Sequence, residues 1–251
     1  MTERFLEVQR LVKRFRGLTA TDGANLSIAR GELHALIGPN GAGKTTLVNQ
    51  IFGEIRSDDG KILLDGVDVT RMPTYRRVNI GLARSYQITS VFSRYTALDN
   101  VALAVQARHG SSFRFWRPVI SESAIFDQAR MHLNRVGLIA CMNTIAGSLG
   151  YGEQRQLEIG IALASDPKLV LLDEPLAGMS PNEAERMVSL LEDLRGTVTI
   201  LLVEHDMSAV FRLADRISTM VYGRVIATGT PNEIREHPDV QRAYLGSGAT
   251  G

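Results

Sequence analysis

Cysteine is almost absent from this chain: Cys141 is the only one in 251 residues. A single thiol excludes an internal disulfide framework and a cysteine-based metal site, and that usage suits a reducing cytosol. An excess of one charge is also missing, because 28 Lys and Arg stand against 27 Asp and Glu for a formal charge of +1. A dedicated nucleic-acid binder would carry a basic surplus, so that class is disfavoured. No stretch reaches the roughly twenty apolar residues that cross a bilayer. Thr2-Glu3-Arg4 behind Met1 offers no apolar signal core. Any work at a membrane is therefore expected to be peripheral. Repeats, low-complexity tracts and an obvious linker are lacking too. A chain of this length buries enough apolar surface to fold without staples. It fits one large α/β domain, or a core with a smaller inserted lobe.

What is present is a series of short apolar runs. Phe5-Leu6-Glu7-Val8 and Leu26-Ser27-Ile28 come first, and the turn Arg30-Gly31-Glu32 leads to Leu33-His34-Ala35-Leu36-Ile37, which stops at Gly38. Lys61 to Leu64 and Val67 to Val69 flank Asp65-Gly66, a strong two-residue hairpin signal. From about Pro73 to Ala164 the spacing turns helical, with Val101, Ala104 and Val105 on one face and Ile125, Ala129 and Leu133 on another. His109 to Pro118, between them, reads as a basic and aromatic surface loop or short helix. Leu169 to Leu172 and Val198 to Val203 are apolar without alternation, as strands buried on both faces of a parallel sheet are. A hairpin around Gly223-Arg224 and a helix through Asn232 to Arg235 complete the pattern. Strands alternating with helices predict a parallel sheet with an embedded helical lobe.

Gly38-Pro39-Asn40-Gly41-Ala42-Gly43-Lys44-Thr45 fits the pattern G-x-x-x-x-G-K-[ST]. Glycines at these positions let backbone N–H groups turn inward around phosphate oxygens. Lys44 supplies a cation for the β and γ phosphates, and Thr45 a hydroxyl for Mg²⁺. The helical run from Thr46 to Phe52 aims its positive dipole end at the same phosphates. Background composition would produce this match about once or twice in a hundred chains of this length, and here a strand precedes it and a helix follows.

A nucleotide loop needs a metal carboxylate and a group that acts on water. Leu169 to Leu172 lead straight into Asp173-Glu174-Pro175, at the carboxyl end of a strand where ligand chemistry gathers. Asp173 is placed to hold Mg²⁺, and Glu174 to orient or deprotonate the attacking water. Alone, the pair could be a solvated acidic loop; beside a phosphate loop it reads as chemistry. Val203-Glu204-His205-Asp206 closes the next strand in the same way. A lone strand-end histidine is more often structural, yet His205 emerges at the same sheet edge and could reach the γ-phosphate. Gln87, in Arg84-Ser85-Tyr86-Gln87-Ile88, carries no compositional signal.

In this order the motifs resemble the ATP-binding subunits of ABC transporters over nearly the whole chain. The resemblance implies a P-loop NTPase core of mostly parallel sheet, an N-terminal antiparallel β subdomain and an inserted helical subdomain. Approximate limits are 1–87 and 166–251 for the core and 88–165 for the helical lobe. It implies ATP and Mg²⁺ as cofactors, with Gly38 to Lys44, Thr45 and Thr46 around the phosphates, Phe15 stacked on adenine, and Gln87 joining the lobes near nucleotide and metal. Thr45, Gln87 and Asp173 would serve the metal, and Lys44, Glu174 and His205 the reaction. Leu149-Gly150-Tyr151-Gly152-Glu153-Gln154 resembles the family signature, whose Gly150, Gly152 and Glu153 would face the nucleotide of a second subunit in a head-to-tail dimer. Two integral permeases and, indirectly, a solute-binding protein complete the implied partners, at the cytoplasmic face of the membrane.

Two positions depart from the family pattern. Gly150 stands where serine is usual, and losing that hydroxyl bond to phosphate would cost about 1 kcal/mol or somewhat more. Ala177-Gly178-Met179-Ser180 lacks the acidic residue common at its end. Both face the partner, so in a heterodimer this chain's signature would serve the other subunit's nucleotide. Tyr151 to Ile159, Val203 to Met207 and the ending Pro238 to Gly246 resemble the ATPases of branched-chain amino-acid importers. The aromatic loop with Phe113, Phe115 and Trp116 resembles the longer of the two such ATPases. Urea and amide importers share most of these features. A homodimeric lipid or lipopolysaccharide exporter ATPase, or a non-transport nucleotide-binding regulator, are the alternatives. Ribosome and repair proteins of the family need tandem units or long coiled coils, which are missing here. Val91, Phe92 and Tyr95, just after Gln87, are candidates for contact with a permease helix.

Overall fold

The structure, a computed structural model, describes residues 4–85, 91–108 and 122–245. The chain opens with a long antiparallel ribbon, β1 (Arg4–Phe15) and β2 (Leu18–Ala29). Both strands outrun the apolar stretches that mark them, because bulges let the pairing continue through Arg10 and Asn25. β3 (Leu33–Ile37) and α1 (Lys44–Phe52) bracket the glycine-rich loop. β4 (Asp59–Leu64) and β5 (Val67–Asp68) form the expected hairpin, with Asp65 and Gly66 at φ 51° and 75° as a type I′ turn requires. There follow α2 (Thr74–Asn79), β6 (Leu82–Arg84), α3 (Ala97–Arg108), α4 (Glu122–Arg135), α5 (Tyr151–Ala164), β7 (Leu169–Asp173) and α6 (Pro181–Leu194). β8 (Thr199–Val203), α7 (Met207–Leu213), β9 (Arg216–Val221), β10 (Arg224–Gly229), α8 (Pro231–Glu236) and α9 (Pro238–Leu245) end it.

Two sheets result, ordered β2-β1-β4-β5 and β10-β9-β3-β8-β7-β6. The first is antiparallel; in the second only β10 runs against its neighbour. Every residue of β3, β7 and β8 is buried, which explains why their apolar runs do not alternate. Successive side chains leave a strand on opposite faces. Leu33, Ala35, Val170, Leu172, Ile200 and Leu202 thus join a core with Val101, Leu133 and Leu157 from the helices. Leu36, Leu169, Leu171, Leu201 and Val203 join Leu6, Ile28, Leu47 and Ile51 on the other side.

The helical character expected from Pro73 to Ala164 needs correcting at β6. These three residues pair in parallel with β7 and form the edge of the large sheet. Three residues are too few for a period to register, so only the pairing makes them a strand. The faces expected for α3 and α4 are buried as the spacing requires, with Val101, Val105, Ala129 and Leu133 inaccessible to solvent. The ending Pro238–Leu245 is a separate helix of eight residues, started by a proline at its first position.

The helix behind the phosphate loop is held at its far end by a buried arginine. Arg77 Nη1 donates to Gln50 O at 2.8 Å and Ile51 O at 2.6 Å, in the last turn of α1. Its Nε donates to Met72 O at 2.9 Å and Nη2 to Thr70 O at 3.2 Å. Burial pulls its pKa down to about 10. Replacing it removes a donor from two buried and two partly buried carbonyls. Arg77→Ala is therefore expected to lower unfolding free energy by about 2–4 kcal/mol. A urea melt checks this, and a midpoint equal to that of the unchanged chain contradicts it.

Candidate functional site

The loop between β3 and α1 is shaped by backbone approach. At Gly38 (φ 149°) a Cβ would lie 2.1 Å from Met220 O, and at Gly43 (φ 102°) 2.2 Å from Ala20 O. Neither site tolerates a side chain. Gly41 (φ 78°) has nothing within 4 Å of such an atom, and Asn40 and Gly41 are exposed, so the mouth of the loop is open. The buried Ala42 accepts from Gly223 N at 2.8 Å through its carbonyl, which ties the loop to the β9–β10 turn. Gly43 cannot cap α1 with a side chain, so the first N–H groups of that helix are open to an anion. Lys44 is buried, and its Nζ donates to Gly38 O at 2.6 Å and Pro39 O at 3.1 Å. Burial lowers its pKa, against the pull of the Glu174 and Asp173 carboxylates. Thr45 is exposed and Thr46 half-buried.

The acids stand at the end of β7. Asp173 is buried; its Oδ2 accepts from Arg84 Nη2 at 3.2 Å, while its Oδ1 is buried without a partner. Burial raises its pKa, and the Arg84 guanidinium opposes that rise. Arg84 is itself held by Asn49 Oδ1 at 2.6 Å and Glu54 Oε2 at 2.8 Å. Glu174 leaves the strand in a left-handed conformation (φ 51°), unusual for a residue with a side chain. Its N–H donates to Val203 O at 2.8 Å, and its Oε1 lies 2.5 Å from Nε2 of His205. The two residues predicted at neighbouring strand ends thus meet.

The donor set suits a hard divalent cation shared with phosphates. Asp173 Oδ1 is an anionic oxygen with no partner of its own, and the Thr45 hydroxyl stands at the start of α1. No group of three or more His, Cys, Asp or Glu among the described residues could hold a metal, so a cation here takes its remaining ligands from phosphate and water, as Mg²⁺ does.

At the start of α5, Gly150 is the N-cap residue and its N–H donates to Glu153 Oε2 at 2.9 Å. Gly152 N donates to Glu183 Oε1 at 3.1 Å, and a Cβ there would lie 2.9 Å from Glu183 Cγ. Glu183 Oε2 accepts from Ser180 N at 2.9 Å and Ser180 Oγ at 2.6 Å. Those bonds, the hydroxyl first, hold its pKa below the usual carboxylate range. One carboxylate therefore joins the signature helix to the loop at 177–180. Phe15, at the end of β1, is 43% exposed, with Lys13 Nζ over its ring at 5.3 Å from the centroid. Gln87 lies outside the described residues. Sequence reasoning missed Arg84 and Glu183. Nothing local marks Arg84, whereas Ser180-Pro181-Asn182-Glu183 is a capping-box pattern that points to Glu183.

Removing the buried cation tests the phosphate loop. Lys44→Ala is expected to abolish measurable ATP binding, a loss of at least about a hundredfold for two or more charge-assisted bonds. Calorimetric titration with ATP reads it, and unchanged affinity would remove the assignment.

The family model for ABC transporters matches residues 21–177. That for branched-chain amino acid ATP-binding cassette transporters matches residues 224–250. BraF of Pseudomonas aeruginosa, a high-affinity branched-chain amino acid transport ATP-binding protein, is 38% identical over 253 residues, covering 98% of this chain and 99% of its own. LivG of Escherichia coli K12, described in the same words, is 38% identical over 258 residues with the same coverage. Among solved structures, the ADP conformation of MJ1267, an ATP-binding cassette of an ABC transporter, aligns with a TM-score of 0.85 at 28% identity, over 98% of this chain and 100% of that one. Likeness of that extent, over a fold that already sets a phosphate loop beside two strand-end acids, means that the chain belongs to the ATP-binding subunits of ABC transporters: it binds nucleotide and is an ATPase.

Proposed function

We propose that this chain powers the uptake of branched-chain or closely related amino acids, as a peripheral ATPase at the cytoplasmic face of the membrane. One observation carries the reading: likeness to branched-chain amino acid transport ATPases runs the full length of the chain and includes its C-terminal segment. No helix among the described residues is long and apolar enough to cross a membrane, so the passage itself belongs to other subunits.

In this reading Gly38 to Thr46 hold the triphosphate and Phe15 stacks on adenine. Thr45, Asp173 and Gln87 would hold Mg²⁺ together with phosphate oxygens, and the bound ion would supply charge neutralisation on the phosphates. Glu174 accepts a proton from the water that attacks the γ-phosphorus. His205 fixes the Glu174 carboxylate and donates toward the γ-phosphate. Gly150, Gly152 and Glu153 serve the nucleotide of a second ATPase subunit, head to tail. The segment from about 88 to 165 moves as a lobe, with the core at 1–87 and 166–251. Phe92 and Tyr95 support contact with a permease helix, being 59% and 52% exposed and packed edge to face at 5.9 Å. Val91 is less suited, since it packs partly into the core.

Affinity capture of the chain from detergent-solubilised membranes tests the assembly. Two permeases and a second, different ATPase are expected to co-elute, and the preparation to take up branched-chain amino acids when reconstituted with a solute-binding protein. A self-paired ATPase with an export-type permease would overturn the importer.

A further inference from the structure

Glu204 lies between Val203, the last residue of β8, and His205, and it is 4% exposed. Its carboxylate is shared by two loops. Oε1 accepts from Leu176 N at 2.8 Å, on the loop after β7. Oε2 accepts from His205 N at 2.9 Å and Asp206 N at 3.4 Å, on the loop after β8. Leu176 follows Glu174 by two residues, and His205 adjoins Glu204 itself. The contact of 2.5 Å between Glu174 Oε1 and His205 Nε2 is thus flanked by backbone that one buried carboxylate pins on both sides. The remaining tie between these loops is Glu174 N to Val203 O, at 2.8 Å.

We propose that Glu204 is a positioning residue for hydrolysis: it fixes the spacing of Glu174 and His205 by anchoring both of their loops. The proposal rests on the reading that this pair acts on the γ-phosphate and its water. The residue type follows from the geometry. Two acceptor oxygens are needed for N–H groups on two separate loops. Glutamine has one acceptor oxygen and would turn its NH₂ toward an N–H donor, so one loop is released. Aspartate keeps the charge but falls one methylene short. A buried carboxylate is costly unless hydrogen bonds satisfy it, and here the bonds it makes are those that align the pair.

The test is a double-mutant cycle on the full chain with its co-purified partners, using Glu204→Gln, His205→Ala and both together. Glu204→Asp is a second probe of reach. Glu204→Gln is expected to lower kcat about tenfold or more while KM for ATP and ATP affinity stay within about twofold. In the His205→Ala background it is expected to add no further loss, because the spacing it maintains no longer matters. Unchanged kcat in Glu204→Gln overturns the proposal alone. So do losses that multiply in the double variant together with a lowered Tm and weakened ATP binding, which mark general damage to the fold. Full turnover in His205→Ala removes the reading of the pair, and the proposal with it.

Discussion

The site depends on the register of four parallel strands. β3, β8, β7 and β6 lie side by side, with Leu36 opposite Val203, Val203 opposite Asp173, and Arg84 opposite Leu171. Their carboxyl ends therefore gather at one edge of the sheet, where Asp173 and Arg84 end their strands and the loops that follow β3, β7 and β8 carry the glycine-rich segment, Glu174 and His205. A slip of one residue would turn each strand's side chains to the opposite face. Burial on both faces prevents it, since any slip would mismatch two packed cores at once. The position of the chemistry at strand ends, beside the start of α1, follows from that constraint.

Electrostatics then set how the charged groups sit. Burial works against charge on both Lys44 and Asp173, lowering the pKa of one and raising that of the other. The opposite charge nearby works against each shift: the carboxylates for Lys44, and Arg84 for Asp173. Arg84 is secured in turn by Asn49 of α1 and by Glu54 just beyond it, so the helix that follows the glycine-rich loop also steadies the Asp173 carboxylate across the sheet. The signature region is handled differently. There Glu183 collects N–H and O–H donors from Gly152 and Ser180, which ties together the two surfaces where this chain departs from the family's usual residues.

Legibility in the sequence followed contiguity. The phosphate loop, Asp173-Glu174 and the Asp65-Gly66 turn are read from adjacent residues whose chemistry is local. β3, β7 and β8 were legible as short, mainly apolar runs without alternation for the same reason. Arg77, Arg84, the tie from Glu183 to Gly152 and the tie from Glu204 to Leu176 were not, because these partners lie 5 to 89 residues apart and only the fold brings them together. β6 escaped because it becomes a strand through β7, not through its own three residues. Glu204 was in plain view within Val203-Glu204-His205-Asp206, yet its acid reads as part of a polar strand end until burial shows that it faces inward.

The central claim is that Glu174, paired with His205, carries out hydrolysis after the nucleotide has closed two subunits together. Glu174→Gln with the partner subunit and MgATP tests it most directly, by size-exclusion chromatography with the bound nucleotide identified. The account predicts a stable complex of the two ATPase subunits that retains ATP and releases no phosphate. A variant that turns over ATP at the rate of the unchanged chain would contradict it.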